Sequence, residues 1–226
     1  MQVSGRASSA ANAEVVAREL VAEARRDDVD AIILIGYSKG VPDFLEAIAN
    51  LHKQRQLPAK LRAVVSVAGA VMGTPVADRY AGLYDAFSGV LPLFGCHAST
   101  GGEMDSLKRT ERMAWLAAAV LPTTVQYYSV VANAAREDIA PALRLTFDDL
   151  SVFDWRNDGQ MLTPDAILPN STLLAEANVD HWNLALPFDT STRSLVRELM
   201  TARPFPREAL LRAIVRTVAA QVPPRP

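Results

Sequence analysis

The chain has 226 residues, of which 50% are apolar and 21% charged, and a formal net charge of −2. This length suits a single domain over residues 1–226, and the near-zero charge excludes the basic surface typical of nucleic-acid or anionic-membrane binding. The single cysteine, Cys96, excludes an internal disulfide and a cysteine-based zinc site, and we predict no metal and no cofactor. No apolar run reaches the ~20 residues that span a bilayer, and the N-terminus lacks the apolar core of a signal peptide, which favours the cytoplasm.

The first half of the chain alternates predicted helices and strands. The elements are a helix from Ser8 or Ser9 to about Arg26, a strand at 31–35, a helix at about 42–52 and a strand at 62–68. The run at 31–35 is apolar without alternation, which is typical of a parallel strand buried on both faces. Residues 76–106 lack clear periodicity and hold aromatic side chains among glycines, so we predict a lid-like insertion there.

The second half continues the alternation around polar loops. The elements are a helix at 107–120, a strand at 125–132, an irregular polar stretch at 146–170, a strand at 171–177, a loop at 179–183, and helices at about 192–201 and 207–221. Strands that alternate with helices predict an α/β fold with a mostly parallel sheet and helices on both faces. Ligands of such sheets bind beyond the carboxyl ends of the strands.

A serine stands between two glycines where the first predicted strand meets its helix, in Gly36-Tyr37-Ser38-Lys39-Gly40. A serine hydroxyl is a poor nucleophile at neutral pH and needs a base, which in turn needs an orienting acid. A sharp strand–turn–helix would leave Oγ of Ser38 free, and both glycines are predicted to be required because a Cβ would collide with the turn. The alternative is a tight turn in which Ser38 caps the helix. The Lys39 backbone N–H would point at a developing oxyanion, and its side chain would be a surface or cleft charge.

The chain has three histidines, His52, His97 and His181. His52 ends a predicted helix beside basic residues, so we predict a solvated side chain, and His97 lies in the 76–106 segment as a surface-loop residue. His181 follows the last predicted strand, where the base for Ser38 belongs. The alternative for His181 is a core or surface histidine without a chemical role.

The orienting acid is expected between the third strand and His181, from the chain order serine, acid, histidine. The candidates are Asp148, Asp149, Asp154, Asp158 and Asp165. Asp158 is favoured because it lies in the turn sequence Asn157-Asp158-Gly159, and the alternative is a turn residue that stabilises its own backbone. Asp154 is the reserve candidate. Asp180 is disfavoured because side chains of neighbouring residues seldom face each other.

Four stretches in this order resemble the α/β-hydrolases of the lipase and esterase kind. They are GYSKG (36–40), VVSVAGAVMGTPVAD (64–78), NDGQM (157–161) and VDHWNLA (179–185). The resemblance implies an acyl-serine mechanism in which Ser38 attacks an ester carbonyl, His181 takes and returns the proton, and Asp158 holds the imidazole.

The expected substrate is a small-molecule ester or lipid with a hydrophobic acyl group, which would place the protein in lipid metabolism. We predict that Tyr37, Met72 and Trp182 contact it. A non-catalytic α/β scaffold or binding protein is the alternative function. Nucleotide binding is disfavoured, because GYSKGV lacks both the Walker spacing and the dinucleotide fingerprint.

The chain departs from the family pattern before the serine, since only 37 residues precede Ser38. Family members carry early strands there and a loop with the second oxyanion donor, so we expect an N-terminally truncated sheet with one open edge. Three explanations are open: an incorrect start or a fragment, a partner or second copy that covers the edge, or an inactive member. We favour the first.

Overall fold

The computed structural model describes residues 3–5, 7–80 and 102–222. Within them, four parallel strands form one sheet in the order β1-β2-β3-β4. The strands are β1 (Ile32–Tyr37), β2 (Leu61–Val67), β3 (Gln126–Asn133) and β4 (Thr172–Asn178). The parallel sheet predicted from the alternation of elements is thus confirmed. Most of the predicted lid-like segment, with Cys96 and His97, lies outside the described residues.

The helices connect and follow the strands. They are α1 (Ser9–Ala24), α2 (Gly40–Lys53), α3 (Arg109–Ala118), α4 (Arg144–Ser151), α5 (His181–Ala185), α6 (Ser194–Met200) and α7 (Arg207–Gln221). Residues 75–80 are also helical. Ser8 caps α1 as predicted, because its Oγ accepts a hydrogen bond from the Ala11 backbone N–H at 3.2 Å.

Helices cover both faces of the sheet, as the fold class predicts. On one face α1, α2 and α3 pack against β2 through a cluster that includes Val16, Ile48 and Val64. On the other face α7 packs against the sheet through a cluster that includes Val65 and Val218. Val64 and Val65 are both fully buried, because successive side chains of a strand point to opposite faces and both faces here are covered.

Two local predictions are wrong, and a third holds in part. Residues 32–35 of β1 pack against core clusters on both faces of the sheet, as predicted, but they are only half-buried, because β2 is the only strand that pairs with β1 in the described chain. The stretch 146–170 is not irregular throughout, since α4 occupies its start with Phe147 and Leu150 buried at helical spacing. The predicted loop at 179–183 contains most of α5, whose N-cap is the buried Asp180.

None of the described helices combines the length and the apolar character that crossing a bilayer requires.

Candidate active site

Ser38 lies at the sharp turn between β1 and α2. Its φ of 52° is in the left-handed region, which costs a residue with a side chain on the order of 1–3 kcal/mol. Backbone hydrogen bonds hold the turn, from the Ser38 N–H to Val67 O at 3.1 Å and from the Val41 N–H to Ser38 O at 3.1 Å. The N-cap of α2 is Lys39, with no side-chain cap. Ser38 therefore does not act as the capping residue that the alternative interpretation required.

The two glycines of the turn differ in the space available for a Cβ atom. A Cβ on Gly36 would lie 2.0 Å from Cε1 of Phe44, a core side chain that is 2% exposed. A Cβ on Gly40 would meet nothing within 4 Å outside its own helix. The prediction that both glycines are sterically required is confirmed for Gly36 and wrong for Gly40, because Gly40 already belongs to α2 and faces open space.

The structure brings Ser38, His181 and Asp158 into one chain of hydrogen bonds. The Oγ of Ser38 lies 2.8 Å from Nε2 of His181, and Nδ1 of His181 lies 2.7 Å from Oδ2 of Asp158. The side chains of His181 and Asp158 are 2% and 1% exposed, so water competes little for these contacts. The imidazole can therefore accept a proton from the serine while Asp158 stabilises the resulting positive charge.

Asp158 is held by the turn in which it lies. Its Oδ1 accepts hydrogen bonds from the backbone N–H groups of Gln160, at 2.9 Å, and Met161, at 2.7 Å. Its carbonyl oxygen accepts the His181 backbone N–H at 2.8 Å. Thr74, from the loop after β2, donates its hydroxyl to Gln160 O at 2.5 Å and so ties the turn to the sheet. With Oδ1 engaged by the backbone, Oδ2 is left to face the imidazole.

The other candidate acids pair with arginines instead. The pairs are Asp148 with Arg136, Asp149 with Arg79, Asp154 with Arg156 and Asp165 with Arg109. His52 is exposed in the last turn of α2, as predicted.

Asp180 has a structural role that was not predicted from the sequence. It is fully buried, and its carboxylate accepts hydrogen bonds from Ala140 N, Asn183 N and Asn183 Nδ2 at 2.7–2.9 Å. Burial raises the pKa of this carboxyl, and the hydrogen bonds oppose that shift. Asp180 thus caps α5 and shapes the turn that presents His181. The spacing Asp-x-x-Asn before an apolar run was the available signal.

The three residues predicted to contact substrate each make contacts within the protein. Tyr37 donates its hydroxyl to the carbonyl oxygen of His181 at 2.6 Å. Trp182 packs edge-on against Phe188, with ring centroids 5.9 Å apart. Met72 is half-buried against the core cluster beneath α1 and α2.

Lys39 does not present its ammonium group as a free surface charge. Its Nζ pairs with the carboxylate of the buried Asp43 at 2.8 Å, and Asn12 of α1 donates to the same carboxylate at 2.7 Å. The Lys39 side chain is 14% exposed. The Lys39 side chain is therefore directed to the α1–α2 contact.

No protein-family model and no curated protein matches the chain. Among solved structures, it is similar to a metagenomic carboxyl esterase with 39% identity and a TM-score of 0.87, over 98% of this chain and 65% of the esterase. The chain therefore spans a little under two thirds of that esterase's length.

Two lipases are more distant in sequence. The mature form of a Bacillus licheniformis lipase has 17% identity and a TM-score of 0.65, over 94% of this chain and 75% of the lipase. A Staphylococcus hyicus lipase has 10% identity and a TM-score of 0.61, over 84% of this chain and 70% of the lipase. Together with the four-stranded parallel sheet and its helices on both faces, these likenesses show that the chain has an α/β-hydrolase fold.

Proposed function

We propose that the protein is a serine hydrolase that cleaves carboxylic esters through an acyl-serine intermediate. The observation that carries the proposal is the unbroken series of contacts from Asp158 through His181 to Ser38, with both heavy-atom distances below 3 Å. An acid, a base and a hydroxyl in this order form the arrangement that activates a serine. The likeness to a carboxyl esterase at 39% identity supports esters as the substrate class.

In the proposed reaction, His181 carries a proton from Ser38 to the leaving alcohol. Nε2 of His181 takes the proton of Ser38 as Oγ attacks the ester carbonyl, and Asp158 keeps the other ring nitrogen protonated. The backbone N–H of Lys39, the residue after the nucleophile, stabilises the oxyanion. His181 then returns the proton to the leaving alcohol. Water, activated by the same imidazole, releases the acid and restores Ser38.

The acyl group is proposed to be hydrophobic, because apolar and aromatic residues are frequent in 76–106, beside the loop that ends in Thr74. A series of p-nitrophenyl esters from acetate to decanoate tests this. We expect kcat/KM to rise with chain length beyond acetate. A maximum at acetate would contradict the hydrophobic preference and leave ester hydrolysis intact.

A fluorophosphonate probe tests the serine mechanism directly. Labelling should fall on Ser38, should be absent in Ser38→Ala and should drop sharply in His181→Ala. His52→Ala is the matched control, since His52 is exposed at the far end of α2, and it should label like the wild type. A folded wild-type protein that neither labels nor cleaves esters would overturn the proposal and favour the non-catalytic scaffold.

Two further expectations stay predictions. We propose a homo-oligomer that covers the edge of β1 with which no described strand pairs, and size-exclusion chromatography with light scattering tests this. The cytoplasmic location is tested by fractionation of cells that express the protein.

A further inference from the structure

Tyr37 joins the nucleophile turn to the backbone of the histidine. It is the last residue of β1, directly before Ser38, and its hydroxyl lies 2.6 Å from the carbonyl oxygen of His181. Its ring lies against the imidazole, with centroids 5.0 Å apart and a 31° angle between the planes. One short stretch of chain therefore contacts His181 twice, through the Ser38 hydroxyl and through Tyr37.

The contact between Tyr37 and His181 matters because the chain reaches these two residues from distant strands of the sheet. His181 follows β4, whereas Ser38 follows β1, and these are the two outer strands of the described sheet. Three strand spacings separate them, or about 14 Å. The chain after β4 must therefore run back over the carboxyl edge of the sheet. The Val179 N–H still binds Asn133 O at the end of β3, at 3.2 Å, so this return begins after Val179. Tyr37 fastens it at the far side, above β1.

The hydrogen bonds of His181 with Asp158 do not connect it to β1, as the bond with Tyr37 does. Its backbone N–H binds Asp158 O and its Nδ1 binds Asp158 Oδ2, so both lead to the same turn. Among the described residues, only Tyr37 and Ser38 tie His181 to the end of β1 and the turn that follows it, and the Ser38 contact has to change during the proposed reaction. A tether to β1 that persists through the proton transfers therefore comes from Tyr37.

We propose that Tyr37 is a positioning residue that holds His181 in register with Ser38, and not a residue that binds substrate. The proposal rests on the proposed hydrolase function. A hydroxyl that already donates to a main-chain carbonyl has no proton left to donate to a substrate. Burial, and then the nearby charges of Asp158 and Asp180, raise the pKa of Tyr37 well above its usual value, so the hydroxyl keeps its proton.

Tyr37→Phe removes the donor and keeps the ring. We expect kcat and kcat/KM for a p-nitrophenyl ester to fall together by roughly threefold to tenfold with KM unchanged, as expected for one hydrogen bond that orients the base. The matched control is Tyr127→Phe. The Tyr127 hydroxyl also donates to a main-chain carbonyl, Pro122 O at 3.2 Å, but it lies near the opposite end of the sheet.

Both variants lose one partly buried hydroxyl contact, so thermal unfolding should change similarly in the two. Only Tyr37→Phe should lose activity, and only it should speed the solvent exchange of the His181 Nδ1–H seen by proton NMR. Equal kcat and equal exchange in the two variants would overturn the inference. A rise in KM alone would instead support substrate binding by Tyr37. An inactive wild type would overturn the proposed function, and the exchange measurement would still decide whether Tyr37 holds His181.

Discussion

The proposed role of Asp158 depends on which of its carboxylate oxygens is left to bind His181. Oδ1 is occupied by two backbone donors, Gln160 N and Met161 N, so Oδ2 alone faces Nδ1 of His181. This arrangement selects the imidazole tautomer with a proton on Nδ1 and a lone pair on Nε2. The proposed transfer of the Ser38 proton requires that lone pair. The turn thus selects the tautomer of an imidazole that lies 23 residues further along the chain.

Asp158→Asn should reverse this tautomer. The two backbone donors will bind the amide oxygen, which leaves the amide NH₂ to donate to Nδ1, so the ring proton moves to Nε2 and Ser38 loses its base. We expect kcat to fall on the order of 10⁴-fold with little change in the fold.

Steady-state ester hydrolysis measures this loss. Asp154→Asn is the control, because Asp154 pairs with Arg156 and not with His181, and it should stay within about twofold of the wild type. Near-normal turnover in Asp158→Asn would contradict the proposal that Asp158 is the acid that orients His181.

At the scale of elements, the strand–turn–helix from β1 to α2 depends on one close approach. The backbone of Gly36 lies against the ring of Phe44, which sits one turn into α2. This packing brings the start of α2 against the end of β1, and Ser38 between them adopts the left-handed conformation.

Gly36→Ala and Gly40→Ala should therefore have opposite consequences. The new Cβ at position 36 overlaps a buried ring and should cost about 1–3 kcal/mol of unfolding free energy, and it should lower activity as α2 shifts. The Cβ at position 40 meets open space in the first turn of α2, and its better helix propensity should leave stability unchanged or raise it by up to about 1 kcal/mol.

Urea unfolding followed by circular dichroism separates the two variants. Equal destabilisation by both would mean that the turn needs glycine for its backbone freedom at both positions, against the packing explanation.

At the scale of the whole molecule, the sequence predicts features that local pattern determines. The succession of strands along the chain follows from apolar runs separated by segments of helical periodicity. Ser38, Asp158 and His181 stand out because each lies in a motif or turn of its own. The half-exposure of β1 could not be predicted from its apolar run, because it depends on how many neighbours the strand has. The contact of Tyr37 with His181 joins residues 144 apart in sequence, and no local pattern encodes it.

Buried carboxyls will make the stability of the molecule depend on pH in an uncommon direction. Burial raises the pKa of Asp165, and the ion pair with Arg109 only partly opposes this. A carboxyl with a raised folded-state pKa contributes stability that is fully present below its unfolded-state pKa, about 4, and is lost as pH rises through the folded-state value. The exposed Asp148 is the reverse case, because its hydrogen bond with Arg136 lowers its pKa.

Asp165→Asn tests this sign. The amide can still accept from Arg109 but does not titrate, so the stability difference between wild type and variant should shift in favour of the wild type as pH falls from 7 to 4. For Asp148→Asn, the wild type's advantage should be present at neutral pH and fade only as pH falls below about 4. Thermal midpoints of the three proteins at pH 7, 5, 4 and 3 measure both trends. If acidification instead reduced the wild type's advantage over Asp165→Asn, the Arg109 pair and not burial would dominate this carboxyl.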